Sequence, residues 1–213
     1  MAISFGNDMR FRIEGVKGRI NAGSQLLDAG SGYGNMSKVV LNEVKNVANI
    51  VMYDPIPRML YTAKRLFVPK PPCLTMSAGV FEFLPFRDKT FDAILCGFSL
   101  RDAIILEKAI SEFSRVLRKG GILIVVDLGK PDSALLDALV SFYLKYVIGI
   151  LAFVVAGKAG LRFRTLHGTY LRWPKNSLLR DILKEYFEEV ELQSRLLGGA
   201  VIIAARKTSK HIS

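Results

Sequence analysis

The chain lacks the features that hold small exported domains together. Its 213 residues include only two cysteines, Cys73 and Cys96, too few for a disulfide framework. Cys96 stands in an apolar run, where a small buried hydrophobe is the expected role. The first ten residues, MAISFGNDMR, have no apolar core of the signal-peptide kind, so export is not indicated and a cytoplasmic setting is expected. No internal repeat or low-complexity block divides the chain, and its length suits one well-buried domain rather than two. Acids are scarce as well. Lys and Arg number 30 against 19 Asp and Glu, a formal charge of +11. Such an excess fits an anionic partner, nucleic acid or an anionic lipid surface, and fits equally a merely basic surface; it bears on association and not on fold.

What is present is alternation. Apolar, β-rich runs at LLDAG (26–30), NIVMYD (49–54), CLTMSAGV (73–80), FDAILCGF (91–98) and GILIVVDLG (121–129) are separated by segments of helical period at 36–47, 57–67 and 103–117. That order predicts a mostly parallel sheet with helices on both faces, an α/β fold of Rossmann-like kind. Towards the C-terminus come a helix, LLRDILKEYF, and two β-rich runs, EVELQSRL and AVIIAARK, joined near Gly198 and Gly199. Such close joining suits an antiparallel hairpin at the sheet edge.

The first strand runs into LLDAGSGYGNMS, with Gly30, Gly32 and Gly34 at every second position. Glycines at the carboxyl end of a first parallel strand let the backbone turn tightly and approach a ligand, while the next helix offers free N–H groups. The bland alternative is a tight turn. No Gly-Lys-Ser/Thr follows, which excludes a triphosphate P-loop, and the spacing is not the GxGxxG of dinucleotide folds. An acid, Asp28, precedes the glycines. A pyrophosphate would be repelled by that carboxylate, whereas the cationic amino group of S-adenosylmethionine would be attracted. Asp54 ends the second apolar run twenty residues after Gly34. There an acid of a nucleotide-binding α/β fold accepts hydrogen bonds from both ribose hydroxyls.

LLDAGSGYG, YDPIPRML, FEFLPFRDKTFDAILCGFSLRDA, SEFSRVLRKGGILIVVDLGKP, TLHGTYLRWP and LLGGAVIIAARK together resemble the ubiquinone/menaquinone biosynthesis C-methyltransferases, class I S-adenosylmethionine-dependent enzymes that methylate a ring carbon of a polyprenylated quinol. The resemblance covers nearly the whole chain. The chain reads as a single domain over 1–213 with a seven-stranded sheet, in which residues 131–175, the apolar helix and basic loop, form a substrate lid. The resemblance implies a cofactor site in which Tyr33 and the glycines line the methionine part, Asp54 the ribose, Val80 and Phe81 the adenine, and Gly97 the region of the methyl group, with Asp28 and Pro55 also at the cofactor. Three departures stand out. Val80 replaces an Asp or Asn expected near the adenine, Arg101-Asp102 replaces an Arg-Asn pair, and the Tyr-Asp pair of a longer N-terminal segment is missing, as though the chain began late.

Residues Ser133 to Gly157 are almost wholly apolar. At about 1.5 Å per residue they are long enough to cross a hydrocarbon core of roughly 30 Å, yet Lys145 lies in the middle at an insertion cost of about 2.5–3.5 kcal/mol. A span is rejected. Ser133, Asp137, Ser141 and Lys145 recur every fourth residue and form one polar stripe, leaving a broad apolar face to bury. That face packs on the sheet, or serves as a lid for a greasy substrate or touches lipid. The basic run Lys158 to Lys175, with no acid, suits anionic headgroups beside it.

Methylation of a quinol carbon needs a group that favours the ionised ring. Arg101 is a candidate to stabilise a phenolate, and Asp102 or His167 to accept its proton. The bland reading of the first two is a loop ion pair, and of His167 a satisfied loop residue. No metal site is expected. A methyltransferase acting on RNA, or a non-catalytic cofactor-binding protein, is the competing reading, although an apolar helix is a poor nucleic-acid surface. A homodimer is open.

Overall fold

The structure is a computed structural model that describes residues 6–147 and 164–208. Its centre is one seven-stranded sheet in the order β3-β2-β1-β4-β5-β7-β6: β1 (Gln25–Ala29), β2 (Asn49–Asp54), β3 (Leu74–Ala78), β4 (Phe91–Gly97), β5 (Leu117–Leu128), β6 (Glu189–Arg195) and β7 (Ala200–Arg206). The first five run parallel. The last two form the expected hairpin, and β7 inserts antiparallel between β5 and β6. The class I methyltransferase architecture read from the sequence is therefore present. Central strands are apolar on both sides: Leu26, Leu27 and Ala29 of β1 are all fully buried, because helices cover both faces.

One face carries α1 (Asp8–Val16), α2 (Asn35–Glu43) and α3 (Pro57–Leu66), packed through Phe11, Met36, Val40 and Leu60. The other carries α4 (Leu106–Val116) and α7 (Asn176–Lys184), whose Phe113, Leu179 and Leu183 meet Leu123, Val125 and Ile203 of the sheet. The buried set of α4, Ala109, Ile110, Phe113 and Val116, repeats at one, three and four, which fixes that stripe inward. Helix α3 starts with Pro57 in its first turn and ends with Lys64 and Arg65, both favourable for a helix terminus. Residue 103, where the periodicity starts the fourth helix, lies in a 3-10 turn cap, and the helix begins at Leu106.

A third layer holds α5 (Ala134–Phe142), continued as a π-helical turn at Tyr143–Val147, and α6 (Arg164–Arg172). Of the two expectations for the apolar face, packing on the sheet is not what this layer shows. Two members of the polar stripe turn inward, while Ser133 and Lys145 stay exposed: Asp137 Oδ1 accepts a hydrogen bond from the Tyr170 hydroxyl at 2.6 Å, and Ser141 Oγ lies 3.0 Å from His167 Nε2. Much of the apolar side faces out instead, with Leu135, Leu139, Phe142 and Tyr146 exposed, while Leu144 is buried against Leu128, Leu166 and Tyr170. Residues 148–163, which hold the rest of the apolar run and Lys158 and Arg162 of the basic one, lie outside the described residues. No helix among the described residues is long and apolar enough to cross a membrane.

Candidate active site

The carboxyl ends of β1, β2 and β4 open onto a cavity of about 620 Å³, a size suited to a nucleoside ligand. Its floor is the glycine loop. Gly30, Gly32 and Gly34 all have positive φ, at 67°, 52° and 80°, a region closed to most side chains. Gly30 also faces Ser99: a Cβ there would sit 2.4 Å from that side chain. Gly34 is not on the wall. It opens α2, and its missing Cβ leaves room for Phe67 and Met52.

Asp54 closes the loop from beside. Its Oδ2 accepts the Gly32 N–H at 2.8 Å and its Oδ1 the Ile56 N–H at 2.9 Å, so the carboxylate both faces the cavity and holds its rim. Pro55, Val80, Phe81 and Gly97 line the same cavity, as do Asp28, Tyr33 and Asp102. The structure thus gathers most of the residues singled out by sequence. Glu82, not singled out, lines it too; its Oε1 accepts the N–H groups of Ile104 at 2.7 Å and Ile105 at 3.1 Å.

The other unforeseen member is Arg12. It comes from α1, is 7% exposed, and reaches across to β4 so closely that a Cβ on Gly97 would meet its Nη1 at 2.1 Å. Its guanidinium stands 4.9 Å from the centre of the Phe98 ring, a cation–π distance. Its pKa is lowered by burial, against the attraction of Asp28. Asp28 in turn accepts hydrogen bonds from Ser37 through Oδ2, at 3.0 Å from the backbone N–H and 2.6 Å from the hydroxyl, which satisfies an N-terminal donor of α2. Burial pushes the Asp28 carboxyl up to about 6. Among the described residues, four buried side-chain polar atoms lack a hydrogen-bond partner: Arg12 Nε, Asp28 Oδ1, Ser31 Oγ and Arg101 Nε. The first three belong to residues of the cavity wall. Buried polar groups are nearly always paired, so this concentration marks a place built for a polar ligand.

The catalytic candidates separate. Asp102 reaches the wall, and burial raises its pKa against the pull of Arg101. Arg101 stands behind it, its Nη1 held by Asp127 Oδ1 at 2.6 Å and its Nε 3.9 Å from Asp102 Oδ1. The loop ion pair anticipated for Arg101 and Asp102 is present, but the stronger partner is the fully buried Asp127 of β5. His167 faces Ser141; from helix α6 it is Thr169 that lines the cavity. Cys96 is buried with Sγ 3.2 Å from Ser99 Oγ, and burial raises its thiol pKa, which suits a packing residue.

Residues 27–125 match the family described as a methyltransferase domain. The fold is similar to that of a putative S-adenosylmethionine-dependent methyltransferase from Methanococcus maripaludis, with a TM-score of 0.67 at 18% identity over 98% of this chain and 89% of that one. Among curated proteins, the chain is 25% identical to a ubiquinone/menaquinone biosynthesis C-methyltransferase of Geobacter sulfurreducens over 98% of its own length and 82% of the relative's. It is 32% identical to a demethylmenaquinone methyltransferase of Leptospira interrogans, and there the match spans about half, 52%, of the relative's length. With a ubiquinone/menaquinone biosynthesis C-methyltransferase of Syntrophotalea carbinolica it shares 30% identity over 76% of this chain and 68% of the relative. With the glycine loop, the acid-ended second strand and the 3214576 sheet in place, the chain belongs to the ubiquinone/menaquinone biosynthesis C-methyltransferase family of class I methyltransferases.

Proposed function

We propose that the cavity binds S-adenosylmethionine and that the enzyme methylates a ring carbon of a polyprenylated quinol. The observation that carries the cofactor is the set of unpartnered atoms. A methionine moiety ends in a carboxylate and an ammonium group, and the wall offers it an unpaired guanidinium N–H on Arg12 and an unpaired carboxylate oxygen on Asp28. Ser31 adds a hydroxyl. Asp54, with a lone pair to spare on each oxygen, receives ribose hydroxyls, and Val80 and Phe81 flank the adenine end. When bound, the cofactor supplies an electrophilic methyl group.

The chain's residues then orient and deprotonate the acceptor. Asp102, lifted in pKa by burial, is the base that takes the ring hydroxyl proton, making the ring carbon nucleophilic. Arg101, clamped by Asp127, fixes the turn that presents Asp102. Exposed Ile104 and Ile56 give the mouth an apolar lip suited to a quinone ring. The quinol is supported by the family and by this lip.

Calorimetry with S-adenosylhomocysteine and 5′-methylthioadenosine tests the cofactor assignment. Arg12→Gln is expected to weaken the first by roughly 10–100-fold, the loss of a hydrogen bond to a charged group, and to leave the second, which has no amino-acid end, unchanged. Equal effects on both ligands would remove the assignment. Mass spectrometry of quinones from cells with and without the gene tests the acceptor, by a difference of one methyl group.

A further inference from the structure

Helix α5 presents its apolar side to water. Leu135, Leu139, Phe142 and Tyr146 stand at i, i+4, i+7 and i+11, one face of a helix, and are 71%, 56%, 58% and 46% exposed. The helix is anchored from behind by its polar side, through Asp137 to Tyr170 and Ser141 to His167. Beside it opens an apolar groove of about 330 Å³, roofed by Leu139 and Tyr143 and closed by Leu196 and Leu197. Those two leucines have φ of 52° and 56°, and Leu197 is 79% exposed. Leucine in left-handed backbone costs energy that glycine would not; here that cost maintains an outward hydrophobic tip, the kind of strain that gathers at functional places.

Charge selects the occupant. Residues 138–180 contain seven Lys and Arg and not one Asp or Glu. Of these, Lys145 and Arg172 are exposed on the described helices of this layer, the Lys145 ammonium 5.0 Å from the Tyr146 ring centre. A second copy of the chain would bring the same cations opposite one another, which repels. An anionic lipid surface reverses the sign and also accepts apolar side chains to headgroup depth. The face adjoins the site, since α6 carries Thr169 on the cavity wall and Leu166 and Tyr170 against the α5 layer.

We propose that the α5 face, with Leu197 and the groove beside it, docks on an anionic bilayer and brings the cavity to substrates resident there. This docking holds whatever ring accepts the methyl group. The full-length protein is sedimented with vesicles of phosphatidylcholine alone and with phosphatidylglycerol added. Binding is expected to the second kind and to weaken with salt. Lys145→Gln lowers that affinity roughly fivefold, and the double variant Leu139→Ser with Phe142→Ser lowers it by at least roughly tenfold. Both apolar positions are more than half exposed, so the melting temperature and turnover of a tailless soluble acceptor stay at wild-type values. Three results overturn the proposal. One is equal binding by wild type and variants, or none to anionic vesicles. Another is a solution dimer broken by the double variant, which makes the face an interface between copies. The third is hydrogen exchange of residues 134–147 that is the same with and without vesicles, which means the chain itself covers the face.

Discussion

The β1–α2 loop and the β6–β7 connection both swing through left-handed backbone, and they do so with opposite residues. In the first, Gly30, Gly32 and Gly34 take positive φ; in the second, Leu196 and Leu197 do, followed by Gly198. At the first the chain removes side chains because the space is spoken for: Ser99 stands where a Gly30 Cβ would go, and the cavity begins beyond. At the second the chain keeps side chains where glycine is easier, and one of them points into water. Backbone conformation alone does not distinguish a ligand cradle from an apolar tip; what the side chains are doing there does.

Substitutions that exchange the two solutions sharpen the contrast. The largest effect is expected of Gly30→Ala. Left-handed backbone costs about 1–2 kcal/mol for an L residue, and forcing a methyl against the Ser99 side chain adds about 1–3 kcal/mol. Thermal denaturation should show a loss of about 2–5 kcal/mol together with lost cofactor affinity, and a stable, binding-competent variant would mean the loop is slack.

Asp28→Asn comes next and acts in opposite directions on stability and binding. The folded carboxyl sits at about 6 against an ordinary 3.8, raised by burial. A group raised in this way stabilises the fold fully below pH 3.8 and loses that contribution as pH rises through 6, so the ionised form is a burden at neutral pH of about 2–3 kcal/mol. The asparagine variant should melt higher than wild type at pH 8 and lose that advantage by pH 4. Its cofactor affinity should fall at pH 8, since an amide does not attract the ammonium. Wild-type affinity should itself rise with pH through about 6. A flat profile between pH 5 and 8 would separate Asp28 from the ligand.

The smallest effect is expected of Leu197→Gly. Relief of about 1–2 kcal/mol of backbone strain is offset by about 0.5–1 kcal/mol of extra unfolded-chain freedom. Folding stability should therefore rise by a fraction of a kcal/mol, read as a slightly higher melting temperature, while anionic-vesicle binding falls. A clear loss of stability would show that the leucine is packed rather than presented.

The part of the site visible in the sequence is the part written locally. Asp28, Gly30, Gly32 and Asp54 lie at or just beyond strand ends, where type and spacing already describe a turn open to a ligand. Arg12 was invisible because its meaning lies in Gly97, 85 positions further on, which makes room for its guanidinium. A lone arginine in a helix otherwise reads as solvated surface. Glu82 is as hard to read locally, since the N–H groups it satisfies belong to Ile104 and Ile105. In α5 the fourfold repeat of Ser133, Asp137, Ser141 and Lys145 marks a stripe, of which Asp137 and Ser141 face the protein and Ser133 and Lys145 face solvent. Periodicity yields two faces without saying which is inside. That choice was made by Tyr170 and His167, which offered the stripe partners. The mostly parallel sheet with its C-terminal hairpin was more legible, because alternating apolar runs and helices leave few arrangements.

Glu82 joins two ends of the cavity that would otherwise be independent. It sits between Phe81 and the turn that carries Asp102, and its one oxygen holds the two successive amides of Ile104 and Ile105 just beyond that turn. A ligand that settles the Val80–Glu82 segment would therefore also settle the segment at 102–105, where the proposed acceptor would meet Asp102. Linkage requires the reverse to the same degree: an acceptor in place must tighten the cofactor as much as the cofactor tightens the acceptor. On the proposed two-substrate reading, positive cooperativity through this single carboxylate is expected, and Glu82→Gln, which keeps the shape and weakens the bonds, should loosen that mutual dependence more than either affinity alone when each ligand is titrated with and without the other.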